Sequence, residues 1–382
     1  MNAKTENSTA VVVSIPRFVG YFLWLGTVGF GGPIALAGHM QQDLVDKRRW
    51  VAREDYVEGL ALAQLAPGPL AAQLAIYLGY IRAGIVGATL VGIAFVLPSF
   101  LMVLALSAAY VRYGGLNWMQ GMFYGIGAAV IAIIARSAVK LTRLTLGKDR
   151  LLWAIFLTLA VATAWTSREI IWLFLLGGVV AMIAKALPSR KPATGMAGLL
   201  LAGLAMPGGG TLWQIFEYFA KAGLFVFGSG LAIVPFLYGG TVLEHHWLTD
   251  RQFVDAVAVA MITPGPVVIT VGFIGYLVAG VAGATAAALG VFLPVYLIVI
   301  VLAPSYKRWA KNPQLNAFVR GVTAAATGAI AGAVVVLARR SIYDLPTILI
   351  AGASLAVLLK WKVPEPVIIG CAAVVGVVLR HG

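Results

Sequence analysis

The stretch "LAPGPLAAQ", residues 65–73, returns as "ITPGPVVIT", residues 262–270, each time inside apolar sequence. Pro67 lacks an N–H and clashes with the turn before it, so a helix ends there. Pro69 suits the first position of a following helix, where its fixed φ fits and no donor is wasted. Gly68 between them permits the sharp turn. The stretch therefore predicts two helices meeting at a break, and its return predicts a duplicated fold. A third break stands in "VGFGGPIALAGHM", residues 28–40, where Gly31, Gly32 and Pro33 interrupt another apolar segment.

Working outward, a shift of 197 residues superimposes the unusual positions. Phe22 meets Phe219, Gly26 meets Gly223, Phe30-Gly31 meets Phe227-Gly228, Trp50 meets Trp247, and Pro67-Gly68-Pro69 meets Pro264-Gly265-Pro266. After one deletion the shift is 196: Gly79-Tyr80 meets Gly275-Tyr276, Gly87-Ala88-Thr89 meets Gly283-Ala284-Thr285, and Leu97-Pro98 meets Leu293-Pro294. Apolar segments match one another by chance, but not with Trp, Pro-Gly-Pro and Gly-Ala-Thr kept in order. The chain is a tandem repeat.

Of 382 residues, 61% are hydrophobic and only 11% charged, against about a quarter charged in soluble domains. Apolar runs such as Ile85–Leu106 and Val281–Ala303 reach the ~20 residues that a spanning helix needs. The expected fold class is an all-α polytopic membrane protein. The opening "MNAKTENSTAVVVSIPR" lacks the pattern of a cleaved signal peptide. A net charge of +14 reads as basic residues in cytoplasmic loops, with no nucleic-acid partner. Cys371 lies in an apolar run, and His39, His245, His246 and His381 show no metal-ligand spacing. Neither a metal nor any other cofactor is expected, and His245-His246 reads as a polar loop. No Gly-x-x-x-x-Gly-Lys-Ser/Thr is present, so the chain carries no phosphate loop of its own.

Basic residues decide how the two copies lie. The connection 39–56 carries Lys47, Arg48, Arg49 and Arg53, whereas its counterpart 236–253 has only Arg251 beside Glu244, His245, His246 and Asp250. The first should face the cytoplasm and the second the outside, which is inverted topology. A consistent path makes the Gly/Pro-broken segments 17–38, 57–81, 212–238 and 256–278 re-entrant hairpins. Spans are then expected near 84–107, 117–138, 151–166 and 170–187, and near 281–303, 317–338, 345–360 and 365–380. A linker span near 195–207 turns the second copy over. On this path only Arg112, Arg168, Arg251, Arg339, Arg340 and Arg380 face outside, and Lys221 and Arg320 fall within segments. The domain plan is a tail 1–16, a first repeat 17–190, a linker span 191–211 and an inverted second repeat 212–382.

In lipid, unpaired backbone groups persist only where protein buries them or a cavity wets them. Paired broken helices in inverted halves point to a transport site near the bilayer midplane. Helix N-termini attract anions through unpaired donors and the macrodipole. The amides expected to serve are those of Leu70, Ala71 and Ala72, of Val267, Val268 and Ile269, and of Ile34 and Ala35. The candidate substrate-binding set is Gly31, Gly32, Pro33, Gln64, Pro67, Gly68, Pro69, Leu70 and Gln73 in the first copy. In the second it is Lys221, Gly228, Ser229, Gly230, Thr263, Pro264, Gly265, Pro266 and Val267. Close helix packing is the alternative use of small residues, and it fits Gly84, Gly87, Gly280 and Gly283 better. Lys221 stands within an apolar hairpin, a functional position by default, but Glu217 one turn earlier can neutralise it. Glu58 and Asp255 occupy equivalent positions and are candidate proton carriers; the wet ends of their segments favour plain solvated carboxylates. Arg136 and Arg320 read as snorkelling anchors.

These residues resemble the chromate ion transporter family in its long, two-domain form. The likeness rests on "FGGPIALAGHM" and "KRRWVAREDYVEGLALAQLAPGPLAAQ" in the first half. In the second it rests on "FGSGLAIVPFL" and "HWLTDRQFVDAVAVAMITPGPVVIT", and it runs from about Phe18 to the last span. The resemblance implies a multi-pass protein of the prokaryotic inner membrane that exports chromate and confers resistance to it, with sulfate as the expected competitor. The second copy departs at Ser229-Gly230 for Gly32-Pro33 and at Met261 for Gln64, so one half should supply more of the ligands. A permease for sulfate or another oxyanion shares every one of these features, as does a passive anion channel. A membrane-embedded enzyme would need a nucleophile–base set or a metal cluster that the sequence lacks. A homodimer is left open.

Overall fold

The computed structural model describes residues 11, 13–30, 32–166, 171–185, 210–224, 226, 233–305, 312–361 and 363–381. The proposed linker span, most of the tail, and Gly31, Gly228, Ser229 and Gly230 lie outside the described residues. What is described is helical. The first repeat contains α1 (Ile15–Val28), α2 (Gly32–Met40) with a π-helical extension Gln41–Lys47, α3 (Arg53–Leu65), α4 (Leu70–Tyr113), α5 (Asn117–Leu146), α6 (Arg150–Thr166) and α7 (Ile171–Lys185). The second contains α8 (Thr211–Leu224), α9 (Ile233–Tyr238) with its π extension Gly239–Glu244, and α10 (Asp250–Ile262). A 3-10 turn at Val267–Ile269 leads into α11 (Thr270–Leu302), followed by α12 (Pro313–Ser341), α13 (Leu345–Lys360) and α14 (Glu365–His381).

The duplication is written into the backbone. Positive φ recurs at Arg49 (54°) and His246 (52°), at Gly68 (135°) and Gly265 (97°), and at Gly84 (58°) and Gly280 (60°), all on the two repeat shifts. The π turns close alike: Trp50 N–H donates to Leu44 O and Trp247 N–H to Thr241 O, both at 2.8 Å. The connection 39–56, expected as a charged loop, is thus largely helical, because α2 runs on through its π extension.

α4 is two helices rather than one. Ala83 (φ −151°, ψ 34°) and Gly84 (φ 58°, ψ −145°) leave helical geometry. Gly79 and Gly87 would stand about 12 Å apart in a straight helix. Instead each packs on the other's carbonyl so closely that a Cβ on either would collide. The chain reverses at 83–84. The same reversal at Ala279 and Gly280 brings Gly275 against Gly283. Close packing thus belongs to Gly79, Gly87, Gly275 and Gly283. Gly84 and Gly280, expected to share it, have no atom within 4 Å of a Cβ and instead supply the positive φ of the reversals.

The shorter pieces also fold back on themselves. Tyr21, in α1, donates to His39 O at 3.5 Å, and Tyr218, in α8, donates to Phe236 O at 2.7 Å. Tyr77, beyond the first Pro-Gly-Pro, donates to Glu58 before it at 3.3 Å. In these three broken segments the two limbs are therefore bonded to each other.

Among the described residues four helical stretches are long and apolar enough to cross a membrane: Leu70–Tyr113, Asn117–Leu146, Val267–Leu302 and Pro313–Ser341. Shorter apolar helices accompany them at Arg150–Thr166, Trp172–Lys185, Leu345–Lys360 and Glu365–Leu379. The repeats are interleaved. α5 packs on α13 and α14 of the second repeat, and α12 packs on α6 and α7 of the first. Small residues set these distances, as is usual between membrane helices. Gly121 and Gly125 meet Ala372 and Gly376, while Gly321 meets Gly177 and Gly178. A Cβ on Gly125, Gly376 or Gly321 would collide with the facing backbone.

Candidate functional site

The two Pro-Gly-Pro turns are built alike and anchored crosswise. In the first, α3 ends as Ala66 N–H donates to Leu62 O at 2.8 Å, and α4 begins as Gln73 N–H donates to Pro69 O at 3.0 Å. Between them Gly68 N–H donates to Val226 O, 2.7 Å away in the second repeat. In the second turn Gly265 N–H donates to Gly29 O, 2.8 Å away in the first repeat. Gly29 and Val226 are equivalent positions, each just beyond the first helix of its own repeat. Each turn therefore seats on the other repeat's first helix by the same bond.

Close steric fit accompanies the bonds. A Cβ on Gly265 would fall inside the Ser99 hydroxyl, and Ser99 itself donates to Gly26 O at 3.3 Å. A Cβ on Gly68 would lie 2.8 Å from both Gln73 Nε2 and a methyl of Val295, the repeat equivalent of Ser99. With φ at 135° and 97°, both positions require glycine for conformation as well as space.

The turns then diverge. Gln73 is buried and its Nε2 donates to Ala66 O at 3.3 Å and Pro67 O at 2.7 Å, bracing the first turn from inside. Its counterpart Thr270 is too short to do so and donates to Val267 O at 2.7 Å. The second turn therefore tightens into a 3-10 turn, in which Ile269 N–H donates to Pro266 O at 2.9 Å. This corrects the expectation that the Ile269 amide stands free, because a 3-10 start consumes a donor that an α-helical start leaves bare.

A cavity of about 280 Å³ opens at the second turn, well beyond the ~15 Å³ that admits one water. Thr263, Gly265 and Val267 line it together with Ala260 and Met261 of α10, Phe30 and Gly32 of the first repeat, and Pro364, Glu365 and Pro366 at the start of α14. Of the expected site residues it gathers Gly32, Thr263, Gly265 and Val267. Pro264 and Pro266 are buried beside it in the same turn. Gln64, Pro67, Gly68, Pro69, Leu70 and Gln73 belong to the other turn and do not line this cavity. Pro33 follows Gly32 in α2, half-buried. Lys221 is engaged by Glu217 at 2.6 Å on its own helix and is likewise absent from the lining.

Two charged groups read differently in the fold. Asp255 is only 2% exposed and accepts from Tyr110 Oη at 2.8 Å. The solvated reading fails for Asp255 because α10 is packed on all sides, with Phe253, Val254, Ala256 and Val257 buried around it. Glu365, which the sequence alone does not single out, lines the cavity, and Arg136 and Lys140 of α5 lie within electrostatic range of it. The available signal was register: Glu169 of the first copy falls on Glu365 under the 196 shift, although Glu169 itself lies outside the described residues.

The chromate transporter family matches residues 17–182 and again 213–377. The chain belongs to the chromate transporter family. It is 61% identical to the chromate transport protein of Cupriavidus metallidurans, over 97% of this chain and 94% of that one. It is 56% identical to a probable chromate transport protein of Synechococcus elongatus, over 96% and 95% of the two chains. A chromate transport protein of Pseudomonas aeruginosa is 32% identical over 94% and 91%. No solved structure matches the chain. As a chromate transporter family member it is a multi-pass membrane protein and a transporter, not an enzyme. The two family matches coincide with the two copies found by internal alignment.

Proposed function

We propose that this chain exports chromate across the prokaryotic inner membrane and thereby confers resistance, as a secondary transporter that holds the anion where the Pro-Gly-Pro turns of two inverted repeats cross. In this reading the hairpins at the breaks are re-entrant, 17–190 and 212–382 are the repeats, and 191–211 is the span that inverts the second. The reciprocal bonds from Gly68 to Val226 and from Gly265 to Gly29 carry the proposal. They seat each interrupted turn against the end of the other repeat's first helix, with the cavity beside one of the turns.

Chromate near neutral pH is largely a dianion with four acceptor oxygens, so converging backbone donors suit it without several arginines. The amides of Val267 and Val268 open a helix beside the cavity, where the macrodipole favours negative charge. Gly32 and the Thr263–Val267 turn are the chromate-contacting group. The equivalent turn, with Gln64, Pro67, Gly68, Pro69, Leu70 and Gln73, serves the opposite face together with Gly228, Ser229 and Gly230. Sulfate, alike in charge and shape, competes. An interior-negative potential drives a dianion outward, at about 2.3 kcal/mol per charge per 100 mV, so export runs without ATP.

The test is chromate resistance, and chromate uptake into inverted vesicles, for Pro67→Ala, Pro264→Ala, Gly68→Val and Gly265→Val. All four are expected to lose transport while still inserting. Wild-type transport in all four removes the turns from the mechanism. Labelled sulfate run in parallel ranks the two oxyanions as cargo.

A further inference from the structure

The cavity proposed for the anion contains a carboxylate. Glu365 lines it beside Thr263, Gly265 and Val267, which is a poor arrangement for a dianion unless that charge is managed. The neighbours show how. Arg136 and Lys140, one turn apart on α5, lie within electrostatic range of Glu365. α5 and α14 are locked together where Gly121 and Gly125 meet Gly376, so the three charges share a fixed frame. The other residues that line the cavity carry no charge, among them Ala260 and Met261 of α10, Thr263 of the turn, and Phe30 and Gly32 of the first repeat. On α13, Lys360 is occupied over the Trp361 ring at 4.8 Å.

With the cavity empty, one carboxylate has the two cations of α5 within electrostatic range. A dianion entering this space turns a net charge of +1 into −1. A like charge close to a carboxylate disfavours its ionised form. One proton on Glu365 returns the group to neutrality and makes the side chain a hydrogen-bond donor to an anion oxygen.

We propose that Glu365 takes up one proton from solvent as a dianion enters the cavity, so that oxyanion binding and proton binding are linked one to one. The step forms one O–H bond on a carboxylate oxygen and breaks one O–H bond of a hydronium ion, which leaves as water; no oxidation state changes. The proposal rests on the reading of this cavity as the substrate site.

The test uses the full chain in lipid nanodiscs with chromate as the probe. At pH 8, in weak buffer, the wild-type protein should take up close to one proton per chromate bound. No uptake overturns the proposal without any variant. Chromate affinity is then measured from pH 6 to 8 in wild type, Glu365→Gln and Glu365→Asp. Relative to Glu365→Gln, wild type and Glu365→Asp should weaken up to tenfold per pH unit where the free carboxylate is ionised; the anion's own titration is common to all three and cancels. A wild-type profile in Glu365→Gln overturns the linkage. Gly265→Val separates the two readings. If it binds chromate normally, the cavity assignment falls and the linkage with it. If it binds weakly while Glu365→Gln keeps the wild-type profile, only the linkage falls.

Discussion

Gly265→Ala is the sharpest perturbation of the crossed turns, because two separable costs meet at one atom. Gly265 has φ 97°, a conformation that costs an L side chain about 1–3 kcal/mol. The added methyl would also fall inside the Ser99 hydroxyl, with Ser99 Cβ only 3.1 Å away. Overpacking of this kind costs a further 1–3 kcal/mol or so. Gly280→Ala is the control: its φ is 60° but no described atom stands within 4 Å of where its methyl would sit, so it carries the backbone cost alone. Ser99→Ala removes the hydroxyl and one hydrogen bond to Gly26 O, at about 1 kcal/mol. In a double-mutant cycle, Ser99→Ala should recover roughly 1–3 kcal/mol from Gly265→Ala and nothing from Gly280→Ala. Thermal unfolding of the purified protein in detergent measures the stabilities, and vesicle uptake of chromate measures the consequence. Should Gly265→Ala prove no less stable than Gly280→Ala, or should the two cycles be equally additive, the steric account of the crossing is wrong.

Two further outcomes follow from other parts of the fold. Reporter fusions should place the 39–56 connection in the cytoplasm and the 239–252 connection outside; both on one side would end the inverted arrangement. Tyr110→Phe strips the buried Asp255 carboxylate of its 2.8 Å donor, so the protein should lose about 1.5–3 kcal/mol. Asp255→Asn should lose less, because an amide can still accept from the phenol and brings no charge to bury. The same unfolding assay ranks the pair, and the opposite order would show that Asp255 is wetter than its packing implies.

The helices, the duplication and the breaks were legible because each has a local cause. Proline ends a helix wherever it falls, and a repeat shift survives any amount of tertiary packing. The expected breaks between 81 and 84 and between 278 and 281 fall on the reversals at Ala83-Gly84 and Ala279-Gly280, whereas α4 and α5 run past their expected ends to Tyr113 and Leu146. The site was legible only in part, because what lines a cavity depends on which surfaces meet. Nothing near Gly265 in the chain announces Phe30 or Glu365. The difference between Gln73 and Thr270 is visible in the sequence, yet its effect appears only once Gln73 reaches back to two carbonyls and Thr270 cannot. Asp255 misleads for a related reason: a carboxylate near a segment end looks wet until α10 is seen buried from Phe253 to Met261. Lys221, by contrast, behaves as its spacing from Glu217 implies, since a one-turn ion pair is a local event.

The crossed anchoring also bears on how two copies of one sequence can act together. A single backbone hydrogen bond is worth only about 0.5–1.5 kcal/mol net, so neither Gly68–Val226 nor Gly265–Gly29 can hold the halves together alone. The contact is stiff because glycine, at positive φ, sits where no other residue fits, against Val295 on one side and Ser99 on the other. A turn seated so tightly cannot rotate without displacing the other repeat's first helix, which carries Gly26 in one copy and Gly223 in the other, with Gly29 and Val226 just beyond it. Gly26 and Gly223 in turn pack on the long helices at Phe95 and Val291. A strain entering at either turn therefore reaches the long helices of both repeats through two close contacts. Packed interfaces of this sort shift between discrete arrangements more readily than they deform. Weak bonds set within so close a steric fit make the seat of each turn a matter of packing more than of hydrogen bonding.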